Sequence, residues 1–226
     1  MLIREKLINM TATLIGSTGL IGGYLLEELL YDPSFDNVKI LIRKPVTVSD
    51  AKLEKKIVDF NDNDSLLVAI SNSDVVFCSV GTTNWKTKGD REAYRRIDYD
   101  IPVKAARFCK MTGCEKFVFV SSVGANAKAR GFYLKLKGEI EEAVQTVGLN
   151  SVHVMRPSML LGNRKEFRFG EKLGTPLIKA FSFLLSSKYK PIQARDVARA
   201  MVTAAKRNNE GFFVHEYSDI RKLAVN

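Results

Sequence analysis

Tyr133 and Lys137 stand four positions apart in GFYLKLKGEIEE, residues 131–142, just downstream of the apolar run FVFVSSVGA. Residues i and i+4 of a helix share a face, so the ammonium can sit beside the phenol. A free phenol titrates near about pH 10, too high to exchange protons well at neutrality. A neighbouring cation favours the phenolate and brings such a group toward the range that general acid–base catalysis needs. Ser121-Ser122 end the preceding run. Ser122, Tyr133 and Lys137 therefore form a candidate catalytic set: Ser122 hydrogen-bonds a substrate oxygen, Tyr133 moves a proton, and Lys137 also holds the nicotinamide ribose while a cofactor moves hydride. A Y-x-x-x-K pair alone is common in structural helices; its meaning comes from what stands upstream.

Upstream, the first apolar β run, TATLIG, leads into Gly16-Ser17-Thr18-Gly19-Leu20-Ile21-Gly22 and the helical pattern LIGGYLLEELL. The spacing G-x-x-G-x-x-G follows the logic of a dinucleotide loop. Gly16 permits the turn, Gly19 lets backbone approach a pyrophosphate at the helix N-terminus, and Gly22 allows close packing of helix on sheet. The loop lacks the Lys-Ser or Lys-Thr that would end a P-loop.

About twenty residues on, where an NAD-binding chain would place a carboxylate for the ribose, stand Arg43 and Lys44. An acid there would repel a 2′-phosphate, whereas Arg43 offers a planar fork and Lys44 a point charge, which favours NADP(H) over NAD(H); the alternative is a pair of ordinary loop cations. Asp59, with Phe60 beside it, follows the third strand and is placed to meet the adenine edge or to cap the next helix. Val80, Gly81 and Thr82, after the fourth strand, leave room for the central riboses or form a plain turn.

The elements that must position these residues alternate. DNVKILIRK, KKIVDF, SDVVFCSVG, KFVFVSS, SVHVMRPS and FFVHEY read as strands. Helices are expected at about 65–72, 90–112 and 132–147, and after the turn in KPIQARDVARAMVTAAKR, where Asp196 suits the helix dipole. Continuous apolar strands alternating with helices predict an α/β fold, a doubly wound, mostly parallel sheet (a Rossmann fold) with helices on both faces. Ligands then bind beyond the carboxyl ends of the strands. A single domain over 1–226 is expected, with a substrate-pocket region at about 157–192. The apolar segment 173–185 covers that pocket or packs on the core, with a membrane-surface or partner-binding role as the alternative.

Composition narrows the function. The 226 residues are 46% hydrophobic, enough for one sizeable core. No run is long and apolar enough to span a bilayer, and charges break the start MLIREKLINM, so a cytoplasmic protein is expected. Cys78, Cys109 and Cys114 suit reduced core thiols. His153 and His215 lie in strands without metal-ligand spacing, so no metal site is expected, and no G-x-S-x-G elbow supports a serine hydrolase. The net charge of +10 is scattered and mixed with acids, so no specific nucleic-acid binding is expected.

GSTGLIGG, the basic pair, FVSSVGA, YLKLK and VMRPSMLLG together resemble the short-chain dehydrogenase/reductase superfamily, in its atypical branch related to the Tat-interacting oxidoreductase, over about residues 11–205. The resemblance implies an NADP(H)-binding fold with a Ser-Tyr-Lys site, and Pro157, Ser158 and Met159 facing the nicotinamide and substrate. Strand alternation lets only one of Ser121 and Ser122 face the pocket, and the second normally fills this role. No residue matches the asparagine of the superfamily's proton relay. The leading expectation is a reductase or dehydrogenase for a small carbonyl or hydroxyl substrate. The rival is an NADPH-sensing regulatory protein with little turnover, since members of this branch are associated with regulatory interactions. A homodimer paired through helices fits such a sheet.

Overall fold

The computed structural model describes residues 9–82, 87–162 and 187–225. Its main sheet contains β1 (Met10–Ile15), β2 (Phe35–Ile42), β3 (Leu53–Ile57), β4 (Val75–Cys78), β5 (Lys116–Val120), β6 (Ser151–Met155) and, last in the chain, β9 (Gly211–His215). The order is β3-β2-β1-β4-β5-β6-β9, and every pairing is parallel. The order reverses between β1 and β4, the switch point at which such sheets open a ligand crevice. β7 (Leu160–Leu161) and β8 (Ile192–Gln193) form a separate parallel pair.

The strand interiors are apolar because both faces are covered. From β1, Ala12 and Leu14 pack on one side against α1 (Leu20–Tyr31), α6 (Ala194–Ala205) and α7 (Tyr217–Ala224). Ile15 packs on the other side with α2 (Asn63–Ile70), α4 (Ile101–Met111) and α5 (Phe132–Thr146). Leu25 and Leu29 of α1 and Met201 of α6 are fully buried in the first layer. Cutting any of them to Ala should cost about 2–5 kcal/mol. Asp196, in the first turn of α6, pairs with Arg221 of α7, a structural role.

Three elements differ from the sequence reading. The third strand is Leu53–Ile57, ahead of the apolar end of KKIVDF, because its register follows β2 from Val38 to Ile42. The helix expected over 90–112 divides into α3 (Arg91–Arg95), a π turn (Arg96–Asp100) and α4. Pro102 explains the break: it has no N–H for the Asp98 carbonyl four residues back, and its ring crowds that carbonyl, so the helix widens there. Finally, α7 follows the last strand. Its sequence YSDIRKLA is largely polar, and only Ile220 and Leu223 are buried.

Candidate active site

The glycine loop joins β1 to α1 at the switch point. Gly16 has φ +97°, a conformation that L side chains rarely adopt, and a Cβ there would lie 2.9 Å from Ser79 at the end of β4. A Cβ on Gly22 would lie 1.9 Å from the Gly16 carbonyl oxygen, so the helix can leave the loop at this angle only with glycine. Gly19 is the N-cap of α1, and its N–H donates to Gly16 O (3.0 Å). Ser17 Oγ is buried in this loop without a hydrogen-bond partner among the described residues, while Thr18 and Gly19 are exposed. A buried hydroxyl is rarely left orphaned unless a ligand or water completes it. At a helix N-terminus the arrangement fits the pyrophosphate of a dinucleotide.

Beyond the ends of β2 and β3 lies a hollow of about 470 Å3, lined in part by Arg43, Asp59 and Phe60. Lys44 is exposed and stands outside that lining. Of the two roles open to Asp59, helix capping falls instead to Asp62, whose carboxylate accepts from Asp64 N–H at 3.0 Å. Asp59 Oδ1 accepts from the backbone N–H (2.9 Å) and Nδ2 (3.0 Å) of Asn61. After β4, Val80 is half-buried, Gly81 exposed and Thr82 buried.

On α5, Lys137 Nζ lies 5.9 Å from the centroid of the Tyr133 ring, so the sequence pair does share a face. Its carboxylate partner is one that the sequence did not single out: Asp98 Oδ1, 3.3 Å from Lys137 Nζ, with both side chains buried. Asp98 Oδ2 accepts the Thr82 N–H at 2.7 Å, and Tyr94 Oη donates to Thr82 O at 3.2 Å. The π turn thus ties the α5 lysine to the loop after β4. The available signal was Pro102, which marks where a regular helix must yield. Gly138 was also missed: a Cβ there would lie 2.1 Å from Ala127 N, so α5 is pressed onto the loop that follows Ser122.

The two serines part company. Ser121 is buried and donates to Glu141, which also accepts from Arg156, through Nε at 3.0 Å and through Nη2. Those bonds raise the Arg156 pKa despite the opposing effect of burial. Ser122 is half-buried, with its Oγ 3.4 Å from Val123 O. After β6, Pro157 is buried, Ser158 Oγ donates to the Lys190 carbonyl, and Met159 O accepts the Ile192 N–H at 2.9 Å. These bonds strap the β8 segment across the strand end, so the Ser158 hydroxyl is engaged with protein. The expected pocket segment 173–185 lies outside the described residues.

Among the described residues, the cysteines and histidines lie in the core. Burial pushes the Cys78 thiol up to about 11, and it raises Cys109 as well, so these behave as core thiols. His153 and His215 are buried and bonded to each other, Nδ1 to Nε2, at 2.9 Å. Among the described residues no His, Cys, Asp and Glu cluster could hold a metal ion. No helix of the described residues is long and apolar enough to cross a membrane.

A family model described as NAD(P)H-binding matches residues 16–208. The chain belongs to this NAD(P)H-binding family. Protein HTATIP2 of Rattus norvegicus is 32% identical over 87% of this chain and 81% of its own. A protein named FMP52, mitochondrial, from Candida glabrata is 34% identical over 88% and 87%. The sheet is similar to that of MoeE5 in complex with UDP-glucose and NAD (TM-score 0.69, 18% identity, 95% and 81% coverage). It is likewise similar to that of Helicobacter pylori ADP-L-glycero-D-manno-heptose-6-epimerase (TM-score 0.70, 18% identity, 98% and 83% coverage). These two likenesses establish the Rossmann fold. The family relatives correct one expectation: several are named mitochondrial, which points away from a cytoplasmic location.

Proposed function

We propose that the protein is an NADP(H)-dependent oxidoreductase acting on a small carbonyl or hydroxyl compound in a mitochondrial setting, with Tyr133 as general acid and base. The observation that carries this reading is the buried Lys137 on the face of Tyr133, on the helix that follows β5 at the same sheet edge as the glycine loop. NADPH, when bound, supplies the hydride. Tyr133 gives the proton to the substrate oxygen in reduction and takes it back in oxidation, while Ser122 holds that oxygen by a hydrogen bond. The orphaned Ser17 hydroxyl and the backbone of Thr18 to Ile21 grip the pyrophosphate, with Gly22 keeping the helix close. Arg43 and Lys44 take the 2′-phosphate, Asp59 and Phe60 the adenine. Val80, Gly81 and Thr82 border the central riboses, and Pro157, Ser158 and Met159 wall the nicotinamide side.

One observation favours the second reading, an NADPH-sensing protein with little turnover: Asp98 already offsets the Lys137 charge. Two experiments separate them. NADPH titration of the purified protein should show binding, and its absence would sink both readings. A panel of aldehydes and ketones followed at 340 nm should find turnover that Tyr133→Phe lowers by about 100- to 10,000-fold while NADPH binding persists. A wild type that binds NADPH yet reduces none of them favours the sensor.

A further inference from the structure

The hollow beyond β2 and β3 draws its walls from two distant parts of the chain. Arg43, Asp59 and Phe60 come from the strand ends, whereas Arg96, Ile97 and Ile101 come from the π turn and the first residue of α4. Its polar and apolar groups divide the work of binding a phosphorylated nucleoside. Ile97, Ile101 and Phe60 offer apolar surface to a planar base, while Arg43 and Arg96 bring two guanidinium groups. A phosphomonoester carries close to two negative charges at neutral pH. Lys44 stands outside the hollow's lining, so within the hollow Arg43 alone leaves the phosphate undercompensated; Arg96 supplies the second cation there, and each guanidinium has a planar fork that can bond bidentately.

Arg96 is available for this work. Its tie to Asp90 is long (3.9 Å) and solvent-exposed on both sides, and exposed pairs of that kind hold a side chain weakly. The Asp90 carboxylate is already engaged as the N-cap of α3, accepting from Glu92 N–H and Ala93 N–H. The acid within the hollow, Asp59, spends one oxygen on Asn61. Residues two apart on a helical turn do not share a face, so Arg96 lines this hollow while Asp98 is buried against Lys137.

We propose that Arg96 is a specificity-determining residue: with Arg43 it forms a two-arginine receptor for the 2′-phosphate, supplied from the helix side of the hollow. This rests on the reading of the site as one for NADP(H). The test measures the affinities of NADPH, NADH, 2′,5′-ADP and 5′-AMP for the wild type, Arg43→Ala and Arg96→Ala. Arg96→Ala should weaken NADPH and 2′,5′-ADP by about tenfold or more, the effect of losing a charge-assisted hydrogen bond, and leave NADH and 5′-AMP within about twofold. The unchanged pair also serves as the control for folding. Equal loss of NADPH and NADH, or loss of neither, overturns the role of Arg96; if Arg43→Ala is selective at the same time, the NADP(H) reading stands without it. A wild type with no preference for the phosphorylated ligands overturns the NADP(H) reading itself, before any variant is compared.

Discussion

Lys137 Nζ stands 3.3 Å from Asp98 Oδ1, and both side chains are almost wholly shielded from water. A buried pair contributes little net stability relative to apolar residues of the same size, but removing one partner strands the other charge at a cost of about 3–5 kcal/mol. Asp98→Asn should therefore lower unfolding stability by about that amount in urea denaturation. Lys137→Met in the same chain should recover part of the loss, a coupling that a double-mutant cycle reads directly. Strict additivity would mean that the two groups do not sense each other in solution.

The glycine loop yields a sharper contrast. Ala at position 22 would place its Cβ 1.9 Å from the Gly16 carbonyl oxygen, a backbone atom with nowhere to move. Ala at position 23 would meet nothing closer than Ser17 O at 3.8 Å, an ordinary contact. Gly22→Ala should lose about 1–3 kcal/mol of stability and abolish dinucleotide binding, whereas Gly23→Ala should gain up to about 1 kcal/mol from helix propensity and keep it. Thermal melts with and without NADPH measure both effects. Unimpaired cofactor binding by Gly22→Ala would show that the helix tolerates a different exit from the loop.

These contrasts show how far the sequence could be read. The runs at β1, β2, β4, β5 and β6 are apolar because both faces are covered, so hydrophobicity alone located them. β3 is an edge strand without a fully buried residue, and its position is set by pairing with β2, which sequence periodicity does not encode. At the site, glycines and the Tyr133–Lys137 spacing are local signals and were legible. Asp98 was not: RRIDYD holds two acids and two arginines within six residues, and only the tertiary packing decides which acid goes inside. Pro102 announced a distorted helix without saying which side chains the distortion would bury.

The adjacent serines should separate by what they damage. Ser121 is buried and donates to Glu141, so Ser121→Ala removes a bond to a charged, shielded acceptor and should cost about 1–3 kcal/mol of stability. Ser122 is half-buried, and among the described residues its hydroxyl makes only a long contact to Val123 O. Ser122→Ala should leave stability within about 0.5 kcal/mol and, on any carbonyl the protein reduces, lower kcat/KM by about tenfold or more. The reverse pattern would assign the substrate-facing role to Ser121.

The His153–His215 pair makes stability depend on pH in a window of its own. One ring must donate and the other accept across 2.9 Å, so the accepting ring at least is neutral in the folded state and the two cannot both be charged across this bond. Burial, with the neighbouring His215, Arg207 and Lys116 charges, pushes His153 down to about 4; burial and Arg207 lower His215 as well, against the pull of Asp219. In the unfolded chain these imidazoles titrate near about 6.5. Between about pH 6.5 and 4 the unfolded state therefore binds more protons than the folded one, and stability falls as pH falls, by about 1.4 kcal/mol per pH unit for each proton taken up; above about pH 7 the contribution is flat. Urea unfolding at intervals from pH 7.5 to 4.5 should show this slope. His215→Gln removes one of the titrating rings and leaves the carboxylates of the chain unchanged, so its slope should be shallower. An identical slope in the variant would assign the acid sensitivity to carboxylates instead of this pair.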